Sequence, residues 1–366
     1  MISCINLLGG NNMNQTQDFT KGVIWKQLLF FFFPILIGSF FQQLYNTVDT
    51  IIVGQTVGTS ALAAVGSTGN LTNLIINFYV GLSTGASVVI AQYYGAQNNK
   101  KIHQAVHTSY SLAIVSGILM MLFGLFFSYQ CLDAIGTPHD ILNDATLYMQ
   151  LYFLCMIPGA IYNIGAGILR AVGDSKRPLY YLIVCSIVNV VFDFIFVVIF
   201  HQGIAGAAIA TVIAQSVCAI LVTIQLMRTN EVYKLTLSKM KFHLPVLKKI
   251  IMIGAPAGIQ STMYSISNIV LQSHINAFGT QTIASWSVYV KIDALFWMMI
   301  AAIGAAITTF SGQNYGAHLH DRIKKGTRTA LAMAFVMTIS ISTILCLTGS
   351  YITRLFSSDP HIIEEC

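Results

Sequence analysis

Four ionisable side chains stand inside long apolar stretches of the sequence: Asp49, Asp193, Lys291 and Asp293. A charge at the centre of a bilayer costs at least ~2.5–3.5 kcal/mol, so each marks a candidate functional position. Asp49 closes the series Gln42, Tyr45, Asn46 and Asp49, whose spacings of three, one and three build a polar stripe along one helical face. Asn189 and Asp193 are four apart and share a face. Gly203 to Ala210 form a small-residue surface that allows close helix approach, and Thr211 is its polar projection. Two carboxylates brought together away from water cannot both stay ionised unaided. Either one takes a proton, or both ligate a hard cation such as Na⁺ with amide and hydroxyl oxygens. Both arrangements are coupling-ion sites; the plainer alternative is that each aspartate only ties helices together through hydrogen bonds. Lys291 and Asp293 are two apart and do not face each other, which makes them the weaker candidate for a polar site in the second half of the chain.

The elements that position these residues follow from composition. Of 366 residues 55% are hydrophobic and 9% charged, with a mean hydropathy of +0.70. Soluble domains carry about a quarter charged residues, so a soluble enzyme, a disordered chain and a disulfide-stapled secreted domain are excluded. Apolar runs of bilayer-crossing length, about 20 residues each, fall near 27–51, 60–90, 107–130, 142–168, 178–200, 203–227, 248–273, 282–311 and 327–350. The expected fold is an all-α polytopic membrane protein. Every Lys and Arg except Lys291 and Arg354 lies before the first run or in the segments after even-numbered runs. Positive-inside bias then predicts a multi-pass protein of the inner (plasma) membrane with a cytoplasmic N-terminus. The formal charge of +6 is a topology signal and calls for no nucleic acid. The first 26 residues hold no short apolar core with a cleavage site, so no signal peptide is read. The seven cysteines lack paired or C-x-x-C spacing and read as small hydrophobes.

The chain also repeats itself. Gln92-Tyr93-Tyr94-Gly95-Ala96 recurs as Gln313-Asn314-Tyr315-Gly316-Ala317, Pro34 pairs with Pro256, and Pro138-His139 with Pro360-His361. Six helices separate the copies, so both halves enter the membrane in the same direction, as in transporters built from parallel repeats. The organisation expected is a cytoplasmic segment 1–26, an N-lobe 27–227 of helices 1–6, a basic linker 228–247, and a partial C-lobe 248–366 with helices 7–9 and the start of helix 10. By that count about three helices of the second repeat are missing, and the sequence reads as C-terminally truncated.

Other features read as structure. His318-x-His320 has no cysteine beside it and is a solvated loop rather than a metal site. Phe30 to Phe33 are expected to face lipid, and Tyr79 and Tyr162 to pack between helices. Pro34 removes a backbone donor and is expected to bend helix 1. No nucleophile–base or metalloprotease constellation such as H-E-x-x-H occurs, so an enzyme is not expected.

In combination the motifs resemble the MATE (multidrug and toxic compound extrusion) transporters, near the DinF-type bacterial branch. The resemblance rests on Val48-Asp49-Thr50-Ile51-Ile52-Val53-Gly54, Gln92 to Ala96 and Leu169-Arg170-Ala171-Val172-Gly173-Asp174-Ser175-Lys176-Arg177-Pro178. Asn189-x-x-x-Asp193, Gly203-x-x-Gly206 through Thr211, and Gly254-Ala255-Pro256-Ala257-Gly258 add to it. It implies a two-lobe bundle of six plus six helices, about nine of them complete here. It further implies a multidrug efflux antiporter that exports cationic or amphipathic compounds in exchange for H⁺ or Na⁺ and acts as a monomer without a cofactor. By the same resemblance Asp49, Asn189, Asp193 and Thr211 form an N-lobe coupling site, with no metal beyond a Na⁺ there. Pro34 is the helix-1 bending proline, and Gln42 and Tyr45 line the cavity. Where NorM-like relatives carry a helix-7 glutamate, this chain has Tyr264, so coupling is expected to rest on the N-lobe. The rival readings are a lipid-linked oligosaccharide flippase of the same superfamily, which tends to place basic groups in its cavity, and a truncated non-transporting remnant.

Overall fold

The structure, a computed structural model, describes residues 16–57, 59–275 and 280–356. With no water to satisfy backbone groups inside hydrocarbon, apolar runs of this length have only the helix open to them. In order they are α1 (Ile24–Thr56), α2 (Thr59–Gly95), α3 (Asn99–Ala134), α4 (His139–Phe153), α5 (Met156–Ala171), α6 (Lys176–Asp193), α7 (Gly203–Arg228), α8 (Leu244–Ile275), α9 (Thr280–Gly316) and α10 (His320–Phe356). Among the described residues seven helices are long and apolar enough to cross a bilayer, or eight when the bent pair α4–α5 is taken as one span. All nine expected runs fall on helices. The run at 248–273 lies on α8, which is 32 residues long but interrupted by Gln260, Ser261, Ser265, Ser267 and Asn268, and is not among the seven.

Local chemistry sets the ends and breaks. The Asn98 side chain accepts from the Lys101 amide (3.1 Å) and caps α3. Asp174 accepts from the Lys176 and Arg177 amides (3.2 and 3.1 Å) and pairs with the Arg177 guanidinium (3.1 Å), which fixes the start of α6. The α4–α5 pair bends by 43°. Pro158, in the first turn of α5, has no N–H to return to Leu154 and accounts for that break. Beyond Asp193 the helix widens into a π-turn, Phe194–Ile199. Pro34 lies inside an unbroken α1.

Two apolar cores result. The larger joins α2 to α7 around Ile90, Tyr110, Phe153, Leu169, Cys218 and Val222, and the smaller packs Phe19, Phe31 and Phe32 against Ala302, Ala306 and Phe310. The aromatic run of α1 therefore splits, contrary to the expectation that all of it faces lipid. Phe30 and Phe33 are 64% and 49% exposed, but Phe31 and Phe32 only 1%. At 100° per residue, positions 31 and 32 turn toward α9 while 30 and 33 turn outward. Cys155, Cys185 and Cys218 are buried free thiols, as expected.

The halves meet backbone to backbone. A Cβ on Gly81 would lie 2.2 Å from the Gly258 nitrogen, and one on Gly85 2.6 Å from the Gly254 Cα, so α2 and α8 cross on two paired G-x-x-x-G faces. At the end of the bundle that carries the basic segments, here the basic face, α2 and α9 cross through the repeated motif itself. A Cβ on Gly95 would stand 1.8 Å from the Gln313 carbonyl oxygen, and one on Gly316 1.9 Å from that of Gln92.

The segment before α1 is laid across this second crossing. The Gln17 amide donates to the Gly173 carbonyl (3.2 Å), and the Phe19 amide to Gln313 Oε1 (3.1 Å). The Phe19 carbonyl accepts from Asn314 Nδ2 (3.1 Å) and Arg322 Nε (2.9 Å). Phe19 is fully buried, edge-on to Phe31 and Phe310. The strap thus touches both halves at the basic face.

Candidate functional site

Helices α1, α6 and α7 bring the polar residues of the first half together, away from the basic face. Asn189 and Asp193 on α6 are fully buried. Asn189 Nδ2 donates to Thr211 Oγ1 on α7 (3.4 Å), and Thr211 in turn donates to the Ala207 carbonyl (3.1 Å). Asp49 on α1 lies within electrostatic range of Asp193. The polar stripe of α1 divides: Tyr45 turns inward, its hydroxyl accepting from Gln215 Nε2 (3.4 Å), while Gln42 and Asn46 turn outward.

Of the eight buried side-chain polar atoms left without a partner among the described residues, four belong to this cluster and include every carboxylate oxygen among them. Both carboxylate oxygens of Asp193, Oδ1 of Asp49 and Oδ1 of Asn189 are buried acceptors that no donor reaches. A buried polar group without a partner costs about 1–3 kcal/mol, more when charged. Four buried acceptor oxygens without donors suit a proton or a hard cation, as the residue types do. No cluster of three or more His, Cys, Asp and Glu occurs among the described residues, so a cation here would rely on amide and hydroxyl oxygens as well. Tyr148 and Tyr152 of α4 stand in the neighbourhood of Asp49, Tyr148 also in that of Asp193. Their rings stack 6.1 Å apart, and their spacing of four is the signal the sequence carries.

A separate cavity of about 400 Å³ lies between the halves, lined by Ser39, Gln42, Ser83, Asn163, Arg170 and Thr309 among others. A narrower pocket beside it adds Pro34 and Tyr162. Pro34 and Gln42 therefore border the inter-half space and Tyr45 the interior of the first half. Tyr162 is buried with its hydroxyl donating to the Pro178 carbonyl (3.4 Å), and Tyr79 is buried with its hydroxyl on the Ser116 carbonyl (2.5 Å), both as helix packing. Arg170 was read from sequence with a basic loop. Instead it occupies the last turn of α5 and its side chain lines the central cavity. The first half thus does place a basic group at the cavity.

In the second half Asp293 is half-buried and accepts from Trp297 Nε1 of its own helix (3.0 Å). Tyr264 packs its ring against Trp297 (4.7 Å between centroids). The Lys291 side chain lies outside the described residues.

Comparison with known proteins places this geometry. The MatE family model matches residues 34–195 and 256–366. The chain is 27% identical over 357 residues to a probable multidrug resistance protein, YoeA, of Bacillus subtilis strain 168, covering 95% of this chain and 77% of the relative. A structure described as a MATE transporter in the straight conformation superposes with a TM-score of 0.89 at 25% identity, covering 96% of this chain and 79% of that one. A MOP superfamily transporter from Pyrococcus furiosus, described as having a binding pocket of reverse polarity, superposes at 0.88 and 25%, covering 96% and 79%. A two-repeat helical bundle and a family model that matches both halves agree: the chain belongs to the MatE family of multidrug efflux transporters.

Proposed function

We propose that this protein exports cationic or amphipathic drugs in antiport with H⁺ or Na⁺, the ion binding among Asp49, Asn189, Asp193 and Thr211. The observation that carries the reading is the set of buried acceptors without donors at Asp193, Asp49 and Asn189. An ion arriving there supplies the missing positive charge and removes the cost of burying two carboxylates. With the ion bound, α1 and α6 draw together. With the ion gone, the acceptors repel and α1 shifts about Pro34, the point where its backbone ladder lacks a bond. Drug and ion then exchange because each favours a different arrangement of the halves, and only such differential affinity drives the cycle. The protein works as a monomer in the plasma membrane, with the basic face and the strap in the cytoplasm.

The test is ethidium-type cation efflux from cells and from liposomes with imposed H⁺ or Na⁺ gradients. Asp49→Asn and Asp193→Asn are each expected to abolish efflux with protein levels held. Normal efflux in either variant removes the coupling site, and efflux driven by one gradient alone identifies the ion.

A second reading, a lipid-linked oligosaccharide flippase of the same superfamily, is favoured by Arg170 at the cavity wall, since a guanidinium suits a diphosphate. Export of an ethidium-like cation that survives Arg170→Gln rejects it.

A further inference from the structure

On the basic face the linker between the halves is pinned to α3 at two points. His107 Nδ1 donates to the His103 carbonyl (2.7 Å), which leaves Nε2 to accept from the Thr236 amide (3.0 Å). Seven residues on, the His243 amide donates to Thr108 Oγ1 (3.1 Å), whose hydroxyl faces His243 Nδ1 (3.3 Å). Between the pins the chain makes a 3₁₀ turn, Leu237–Lys239. It bounds a cleft of about 520 Å³ with Lys100, His103, Gln104, Lys239, Lys241 and His243 in its wall.

Three lysines and two histidines converge there, and no Asp or Glu lines the cleft. The basic region continues past it: Lys101 and Lys249 both stand over the Tyr93 ring, 5.6 and 5.5 Å from its centroid. The same linker exposes large apolar side chains among its lysines, with Leu237 48%, Phe242 40% and Leu244 73% accessible. Water alone does not explain that alternation. It fits a surface where ammonium groups meet headgroups and the apolar side chains enter the acyl boundary.

We propose that this cleft binds the phosphate headgroup of an anionic phospholipid, with Lys100, Lys239 and Lys241 as its charge contacts. Basic pockets at one membrane surface recognise such lipids through the phosphate charge. A free phosphate anion shares that chemistry, but it has no use for Leu237, Phe242 and Leu244. The bound lipid would hold the linker, and with it the mutual placement of the two halves, to one leaflet.

The experiment uses the purified chain in a neutral detergent, with dioleoylphosphatidylglycerol, dioleoylphosphatidylcholine and inorganic phosphate as probes. Lipid retention is read by native mass spectrometry and thermal protection by tryptophan fluorescence. Phosphatidylglycerol should bind and protect, phosphatidylcholine should not, and Lys239→Gln/Lys241→Gln should weaken phosphatidylglycerol roughly fivefold per lysine removed. Lys324→Gln/Lys325→Gln, in the N-terminal turns of α10, should leave binding unchanged. Equal binding of the two lipids overturns the proposal, as does equal loss in the two double variants. Protection by inorganic phosphate that matches the lipid's makes the ligand a free anion and overturns the lipid assignment. None of these outcomes depends on whether the protein exports drugs.

Discussion

The two halves treat their membrane acids in different ways. In the first, Asp193 and Asp49 end on oxygens that nothing in the protein satisfies. In the second, Asp293 is tied to Trp297 one turn along its own helix, and Tyr264 closes over that indole. Both halves carry the repeated motifs, yet among the described residues only the first leaves buried carboxylate oxygens without a donor. Inside a membrane such a debt is retained where something outside the chain settles it. A satisfied acid is part of the packing; on the proposed reading an unsatisfied one is the ion's seat.

Four substitutions break or sharpen that contrast. The largest effect is expected from Asp193→Asn, which should bring efflux to background, while Asp293→Asn keeps it within about twofold because an amide oxygen still accepts from Trp297. Efflux lost in both variants would erase the distinction between the halves. Next, Asp49→Asn/Asp193→Asn should export no less than either single variant, since groups that act as one site are strongly non-additive. A further drop in the double would mean two independent sites. Third, Asp193→Asn should raise thermal stability by about 1–2 kcal/mol in ion-free buffer, because a buried charge without a partner is removed. A lowered melting temperature would mean the carboxylate is already satisfied. The smallest effect is Trp297→Phe, about 1 kcal/mol of lost stability with efflux intact, checked by chemical denaturation in detergent.

Much of this was legible beforehand. Nine apolar runs must become helices because hydrocarbon leaves the backbone no alternative. Asp49 and Asp193 stand out for the same reason, as ionisable groups where ionisation is costly. Arg170 was not legible. Its neighbours Gly173, Asp174, Lys176 and Arg177 make the stretch look like a loop, and only the course of α5 carries its side chain to the cavity wall. The inward turn of Phe31 and Phe32 escaped because composition cannot say which face of α1 meets α9. The strap escaped too: Phe19 is polar-flanked and short of any run, and its partners lie 294 and 295 residues away. Tyr148 and Tyr152 were visible as a pair, but α4 gives no hint of which helix they approach.

The crossing of α2 and α9 carries one more lesson. The two stretches of sequence that most resemble each other, Gln92 to Ala96 and Gln313 to Ala317, are also the two that touch. A side chain introduced at Gly95 would have to be answered by a retreat at Gln313, and one at Gly316 by a retreat at Gln92. Copies folded against each other in this way are not free to drift apart. Elsewhere the repeats differ: Asp49 stands in the first with no acid at the matching position of the second. At the seam each copy edits the other, and the ancestral wording survives because its reader is itself.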